Sequence, residues 1–157
     1  MRIINNAHVK RALEVAIAGK HSILIVGNYL NTAAGGNPLP DNAYFVLPCP
    51  CGWLSDPVHE CNCSIEQTKS HQASYPVCDI KVELVRPTFP DLVSAKIIPV
   101  MFPESQRLLE IAYNKLGLTV CDIVSVLSVA VTIQRMEQAN NLQSAHIAEA
   151  IQYKVLK

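Results

Sequence analysis

An excess of charge of either sign is what this sequence lacks: 13 basic and 13 acidic side chains cancel to a formal net charge of zero over 157 residues. A chain so balanced has no long-range field to draw it toward polyanions, which disfavours strong nucleic-acid binding. A long hydrophobic run is missing too. The longest apolar stretch, Val120 to Ile133, is interrupted by Asp122, Ser125, Ser128 and Thr132 and is too short to span a bilayer. The first apolar stretch carries His8, Lys10, Arg11 and Glu14 and does not read as a secretory signal, so the expected location is the cytoplasm. There are no internal repeats, and no low-complexity tract beyond Pro87, Pro90, Pro99 and Pro103, which mark a connector. Half of the residues are hydrophobic, enough for one compact unit.

What is present is sulfur at close spacing. Cys49-Pro-Cys51 and Cys61-Asn-Cys63 are two C-x-C pairs separated by nine residues, and the other two cysteines, Cys78 and Cys121, stand alone. Zinc takes four thiolates tetrahedrally, and a loop that closes two short pairs on one ion satisfies that geometry without a large core around it. The competing reading is a disulfide from Cys49 or Cys51 across to Cys61 or Cys63, since neighbours within C-x-C bridge each other poorly. A reduced interior disfavours disulfides, so zinc on Cys49, Cys51, Cys61 and Cys63 is the expectation. His59 and His71 are at most alternate ligands; His8, His21 and His146 are scattered; Cys78 and Cys121 read as buried apolar residues.

Periodicity and punctuation give the order of elements. Asn6 is placed to cap a helix over about residues 7–18, with Val9, Ala12, Leu13, Ala16 and Ile17 on one face and Gly19 as its terminator. Ile23-Leu-Ile-Val26 reads as a strand buried on both faces, Tyr44–Leu47 as a second, and Ile80–Leu84, which alternates, as an edge strand. Residues 28–41 carry too many glycines and prolines in their second half for a helix, so an irregular connection is expected. Ser64 with Gln67 forms a capping box that starts a helix directly after the last cysteine pair. Three more helices are expected near 103–116, 120–138 and 144–156, parted by Gly117 and by Asn140-Asn141. The middle one is apolar almost all round, which calls for burial on more than one side or for a subunit interface.

The stretch Pro48-Cys-Pro-Cys-Gly-Trp-Leu-Ser-Asp-Pro57 followed by Glu60-Cys-Asn-Cys-Ser-Ile-Glu-Gln67 resembles the magnesium-chelatase-like AAA+ ATPases, in the branch linked to competence and DNA recombination. There, N-P-C-P-C-G-Y and C-x-C-S-x-E-Q lie just after the sensor-1 strand. Ile4 to Val26 is similar to the segment leading into that family's Walker A loop, Asp79-Ile-Lys-Val-Glu-Leu84 to its next core strand, and Leu116–Thr119, Val129–Ile133 and Ala145–Tyr153 to its helical lid. The family topology would set the first strand between the other two.

The resemblance also shows what has gone. Aligned on Gly27, the Walker A lysine falls on Ala33 and its hydroxyl residue on Ala34, Leu30 replaces a glycine, and Walker B has no counterpart. The sensor-1 asparagine is Leu47, the D-R before the next strand is Pro76-Val77, L-S-A-R is Leu118-Thr-Val-Cys121, and the sensor-2 arginine is Val131. Phosphoryl transfer rests on positioning and electrostatics, so a chain without these groups is expected to bind neither ATP nor magnesium and to have no catalytic residues. The implied fold is α/β: a truncated AAA+ core with a small, mainly parallel three-stranded sheet over residues 1–90, a zinc loop at 48–64, a connector at 91–102, and a three-helix lid at 103–157. The expected function is a non-catalytic interaction or scaffold protein, a homo-oligomer (most simply a dimer) or one docking on an AAA+ relative. The alternatives are a zinc-containing nucleic-acid-binding module, a divergent ATPase, and a degraded remnant.

Overall fold

The structure, a computed structural model, describes residues 3–4, 6–32 and 39–155. It divides into two compact units, residues 1–87 and 88–157.

In the first unit the order is α1 (Ala7–Gly19), β1 (Ile23–Val26), a 3-10 turn (Tyr29–Asn31), β2 (Ala43–Val46), α2 (Ile65–Ala73) and β3 (Ile80–Glu83). The sheet is parallel throughout, in the order β2-β1-β3. β1 is therefore central, as its unbroken Ile-Leu-Ile-Val run requires, because a strand covered on both faces has no polar side to alternate with. Its Ile23 and Ile25 join Val9, Ala16 and Val82 in the core, with Leu13, Phe45 and Ile80 packed around them. Full burial of a side chain such as Ile23 or Ile25 stabilises by about 1.5–3 kcal/mol.

Two local expectations change. Asn6 makes no side-chain cap to α1. Its amide instead donates to Ile4 O and Val85 O and accepts from Val85 N, tying the start of the chain to the residues after β3. The left-handed residue that ends α1 is Lys20 (φ 54°), one position beyond Gly19. Gly19 is small for a different reason: a Cβ there would run into the His21 ring.

The second unit holds α3 (Phe89–Ser94), α4 (Pro103–Lys115), α5 (Val120–Met136) and α6 (Ser144–Val155). Residues 91–94, expected within a connector, complete α3, whose Leu92 is fully buried and whose N-terminus is closed by a Thr88/Asp91 capping box. Gly117 takes φ 66° between α4 and α5, and Thr119 with Asp122 forms a second capping box at the start of α5. Lys154 reaches Asp122 Oδ1 at 3.1 Å, and buried His146 accepts from Gln143 N through Nδ1 (3.0 Å) and donates through Nε2 to Glu137 (2.8 Å). Both contacts lock α6 to α5. Apolar all round in sequence, α5 buries Val120, Ile123, Val126, Leu127, Ala130 and Ile133 but leaves Val124 and Val129 exposed. Cys121, expected inside, is exposed on its first turn. Among the described residues no helix is long and apolar enough to cross a membrane.

Candidate metal centre

The loop between β2 and α2 is clamped at both ends before any metal is considered. At its start the Leu47 carbonyl accepts from Tyr75 Oη (2.6 Å) and from His71 Nε2 (3.0 Å), and the Pro48 carbonyl accepts from Gln72 Nε2 (3.2 Å). At its end Ser64 caps α2: Gln67 N donates to Ser64 Oγ at 3.1 Å and Ser64 N to Gln67 Oε1 at 2.9 Å. α2 thus serves as the bracket for both cysteine pairs.

Between the clamps the chain makes two turns. Gly52 closes the first by donating its N–H to Cys49 O at 3.0 Å with φ 81°, a value that favours glycine. Asp56 organises the second. Its Oδ1 accepts from Val58 N (2.9 Å), His59 N (2.9 Å) and His59 Nδ1 (3.0 Å), and the His59 ring stacks on Trp53 with centroids 3.8 Å apart. Burial alone would raise the Asp56 pKa; the His59 and Val58 amides, the His59 side chain and the charge of Arg86 together hold it below the usual carboxylate range.

These turns bring the two pairs face to face. Cys49 and Cys51 Sγ lie 3.3 Å apart, each is 3.6 Å from Cys61 Sγ, and Cys51 N donates to Cys63 Sγ at 3.4 Å. All four sulfurs fall within 4.8 Å of one another. A tetrahedral ion with about 2.3 Å bonds to sulfur needs S–S edges of about 3.8 Å, so the cluster fits one ion after a small expansion. Cys49 is fully buried and the other three are half-buried; all six cysteines are free thiols. The four expected ligands are therefore together. His59 and His71 are not among them, being held by Asp56 and by Leu47.

The electrostatics of the four thiols are unbalanced without a cation. For Cys51, burial is overcome by hydrogen bonds from the Trp53 amide and from neighbouring thiols, and its pKa falls to about 6. For Cys63, a hydrogen bond from Cys51 N is outweighed by desolvation and by the nearby sulfurs, which push it up to about 12; Cys61 moves upward for the same reasons. One thiolate forms readily and opposes its neighbours. A divalent cation removes that conflict, because bound thiolates share its charge.

The residues after β1 are spent on the fold. Gly27 N donates to Val46 O, and a Cβ at Gly27 would lie 2.6 Å from Leu84 Cβ, so this glycine serves the contact between adjacent strands. Asn28 Oδ1 accepts from Leu30 N (3.0 Å), Asn31 N donates to Asn28 O, and Thr32 N to Tyr29 O, closing a 3-10 turn where a phosphate loop would open. Ala33 and Ala34 lie outside the described residues. Of the other replaced positions, Leu47 is the clamped carbonyl above, Val77 is wholly exposed, and Val131 is half-buried on α5.

Residues 95–154 match the family described as magnesium chelatase, subunit ChlI C-terminal. No curated protein matches the sequence. A solved structure described as the Aeropyrum pernix ORC2 protein in its ADP form is similar at 10% identity with a TM-score of 0.37, over 94% of this chain and 44% of that one. This chain therefore spans less than half of that protein. The matched segment, 95–154, holds α4, α5 and α6.

Proposed function

We propose that the protein is a non-catalytic AAA+-related interaction protein whose four-cysteine loop holds one structural zinc ion in a reducing compartment such as the cytoplasm. The observation that carries this reading is the turn after β1. The amides of Leu30, Asn31 and Thr32 all donate inside that turn, so they are not offered to phosphate. The neighbouring Gly27 is occupied by Leu84. With lysine, magnesium ligands and both sensors replaced in the sequence, no group remains to stabilise phosphoryl transfer. Zinc supplies folding free energy to a loop with little apolar core of its own. Self-association through the exposed side of α5, most simply as a dimer, completes the reading, since an apolar helix face is seldom left open.

Titration calorimetry with MgATP tests it. No saturable heat is expected up to millimolar nucleotide; magnesium-dependent binding at micromolar ATP, or turnover, would overturn the reading in favour of a divergent ATPase.

A further inference from the structure

The four sulfurs of the metal loop are unequally sheltered. Cys49 is fully buried, whereas Cys51, Cys61 and Cys63 are half-buried, and the residues on either side of Cys61, Glu60 and Asn62, are exposed. A small oxidant therefore reaches the outer three sulfurs before the inner one, and an accessible thiolate is the form that oxidants attack. Metal ligation keeps its cysteines deprotonated, so a loaded site presents those three as thiolates.

Position narrows which sulfurs can join. Cys49 and Cys51 lie closest, at 3.3 Å, but neighbours within C-x-C bridge each other poorly. Across the two pairs, Cys61 Sγ lies 3.6 Å from both Cys49 Sγ and Cys51 Sγ, while Cys63 Sγ meets Cys51 through its backbone N–H at 3.4 Å. Of these two sulfur contacts, only Cys51–Cys61 joins two half-buried residues. The frame of the loop contains no cysteine: Tyr75, His71 and Gln72 hold Leu47 and Pro48, Asp56 holds its turn, and Ser64 with Gln67 holds its end. Both ends stay placed when an ion leaves, so the four thiols can be gathered again.

We propose that the four-cysteine loop is a peroxide-responsive zinc-release switch, in which Cys51 and Cys61 become a disulfide, zinc leaves, and Cys49 and Cys63 remain thiols. This rests on the zinc reading above and adds its regulation. The thiolate of Cys51 or Cys61 attacks one oxygen of hydrogen peroxide, the O–O bond breaks, hydroxide leaves, and a sulfenic acid forms. The other thiolate attacks that sulfur, the S–O bond breaks, and a second hydroxide leaves. Two electrons pass from the pair of sulfurs to the peroxide, and the hydroxides take protons from solvent to give two waters. Zinc is left with two thiolates where a structural site holds it with four ligands, and it is lost to solvent. The disulfide replaces the ion as the cross-link between the two pairs, and a thiol reductant opens it by exchange and returns the ligands.

The test uses the full chain, purified without chelator, in a Cys121→Ser background that removes the exposed thiol outside the loop. Zinc content is measured first. Hydrogen peroxide is then added in the presence of a colorimetric zinc dye, free thiols are alkylated, and cleavage after Glu60 parts the two cysteine pairs so that mass spectrometry reads which residues are linked. The expected result is one zinc released per disulfide formed, at least about fivefold more Cys51–Cys61 linkage than any other, and renewed zinc binding once a thiol reductant and zinc are supplied. A zinc-loaded chain that keeps its metal under peroxide, or that yields sulfinic acid or another pairing instead, overturns the switch while leaving the zinc site standing. A chain that carries no zinc overturns both.

Discussion

Replacing Asp56 by alanine should dismantle the metal loop while sparing the rest of the first unit. One carboxylate oxygen accepts from Val58 N, His59 N and His59 Nδ1. Hydrogen bonds to a charged acceptor contribute about 1.5–3 kcal/mol each, but exposed amides recover water when the acceptor goes. A net local cost of about 2–4 kcal/mol follows for Asp56→Ala, and about half of that for Asp56→Asn, which keeps a carbonyl oxygen and loses only the charge beside Arg86. Because this turn returns Cys61 and Cys63 to Cys49 and Cys51, zinc affinity should fall about 10–100-fold, the range seen when a supporting group is removed from a metal site. Competition with a colorimetric chelator reads the affinity, and hydrogen exchange over residues 52–60 reads the local loss. The acid dependence follows from the sign of the shift: a pKa held low in the folded state stabilises above the ordinary carboxylate value of about 3.9 and that stabilisation is lost as pH falls through the folded value. The gap between the parent chain and Asp56→Asn should therefore close below about pH 4. An Asp56→Ala chain with zinc affinity within twofold of the parent and unaltered exchange at 52–60 would refute the reasoning.

Two other substitutions probe the account elsewhere. Gly27→Ala places a methyl against Leu84 between adjacent strands, so it should cost about 1–3 kcal/mol in urea denaturation; an unchanged midpoint would mean the glycine is free for another role. His146→Ala removes both an acceptor for Gln143 N and a donor to Glu137 at a site only 2% exposed, and should cost about 2–4 kcal/mol. Thermal unfolding followed by circular dichroism checks it, a loss under 0.5 kcal/mol counting against the α5–α6 link.

The parts of the fold that were legible in the sequence are those set by short-range chemistry. The Ile23–Val26 run was enough to place a central strand, Ser64 with Gln67 was enough to place the start of α2, and three apolar periods with Gly117 between two of them located α4, α5 and α6 to within two residues. The gathering of Cys49, Cys51, Cys61 and Cys63 was legible because C-x-C spacing leaves few other uses for four thiols. What was missed depends on which partner or face each side chain finds in the folded chain. Asn6 has the right chemistry for a cap, but Val85, 79 residues away, claims its amide. His59 sits beside the cysteines in sequence, yet Asp56 and Trp53 turn it away; the Asp-Pro step at 56–57 was a turn signal that could have revealed this. Cys121 was placed inside on residue type alone, whereas its position on the outer stripe of α5 decides its exposure.

The central claim is that Cys49, Cys51, Cys61 and Cys63 hold one zinc ion, and metal content measured on protein purified without chelator tests it most directly. One zinc per chain is expected, falling to below about a tenth of that in Cys51→Ser, with loss of exchange protection centred on residues 48–64. Metal-free protein in which all four of these thiols react freely, with the loop still protected, would contradict it.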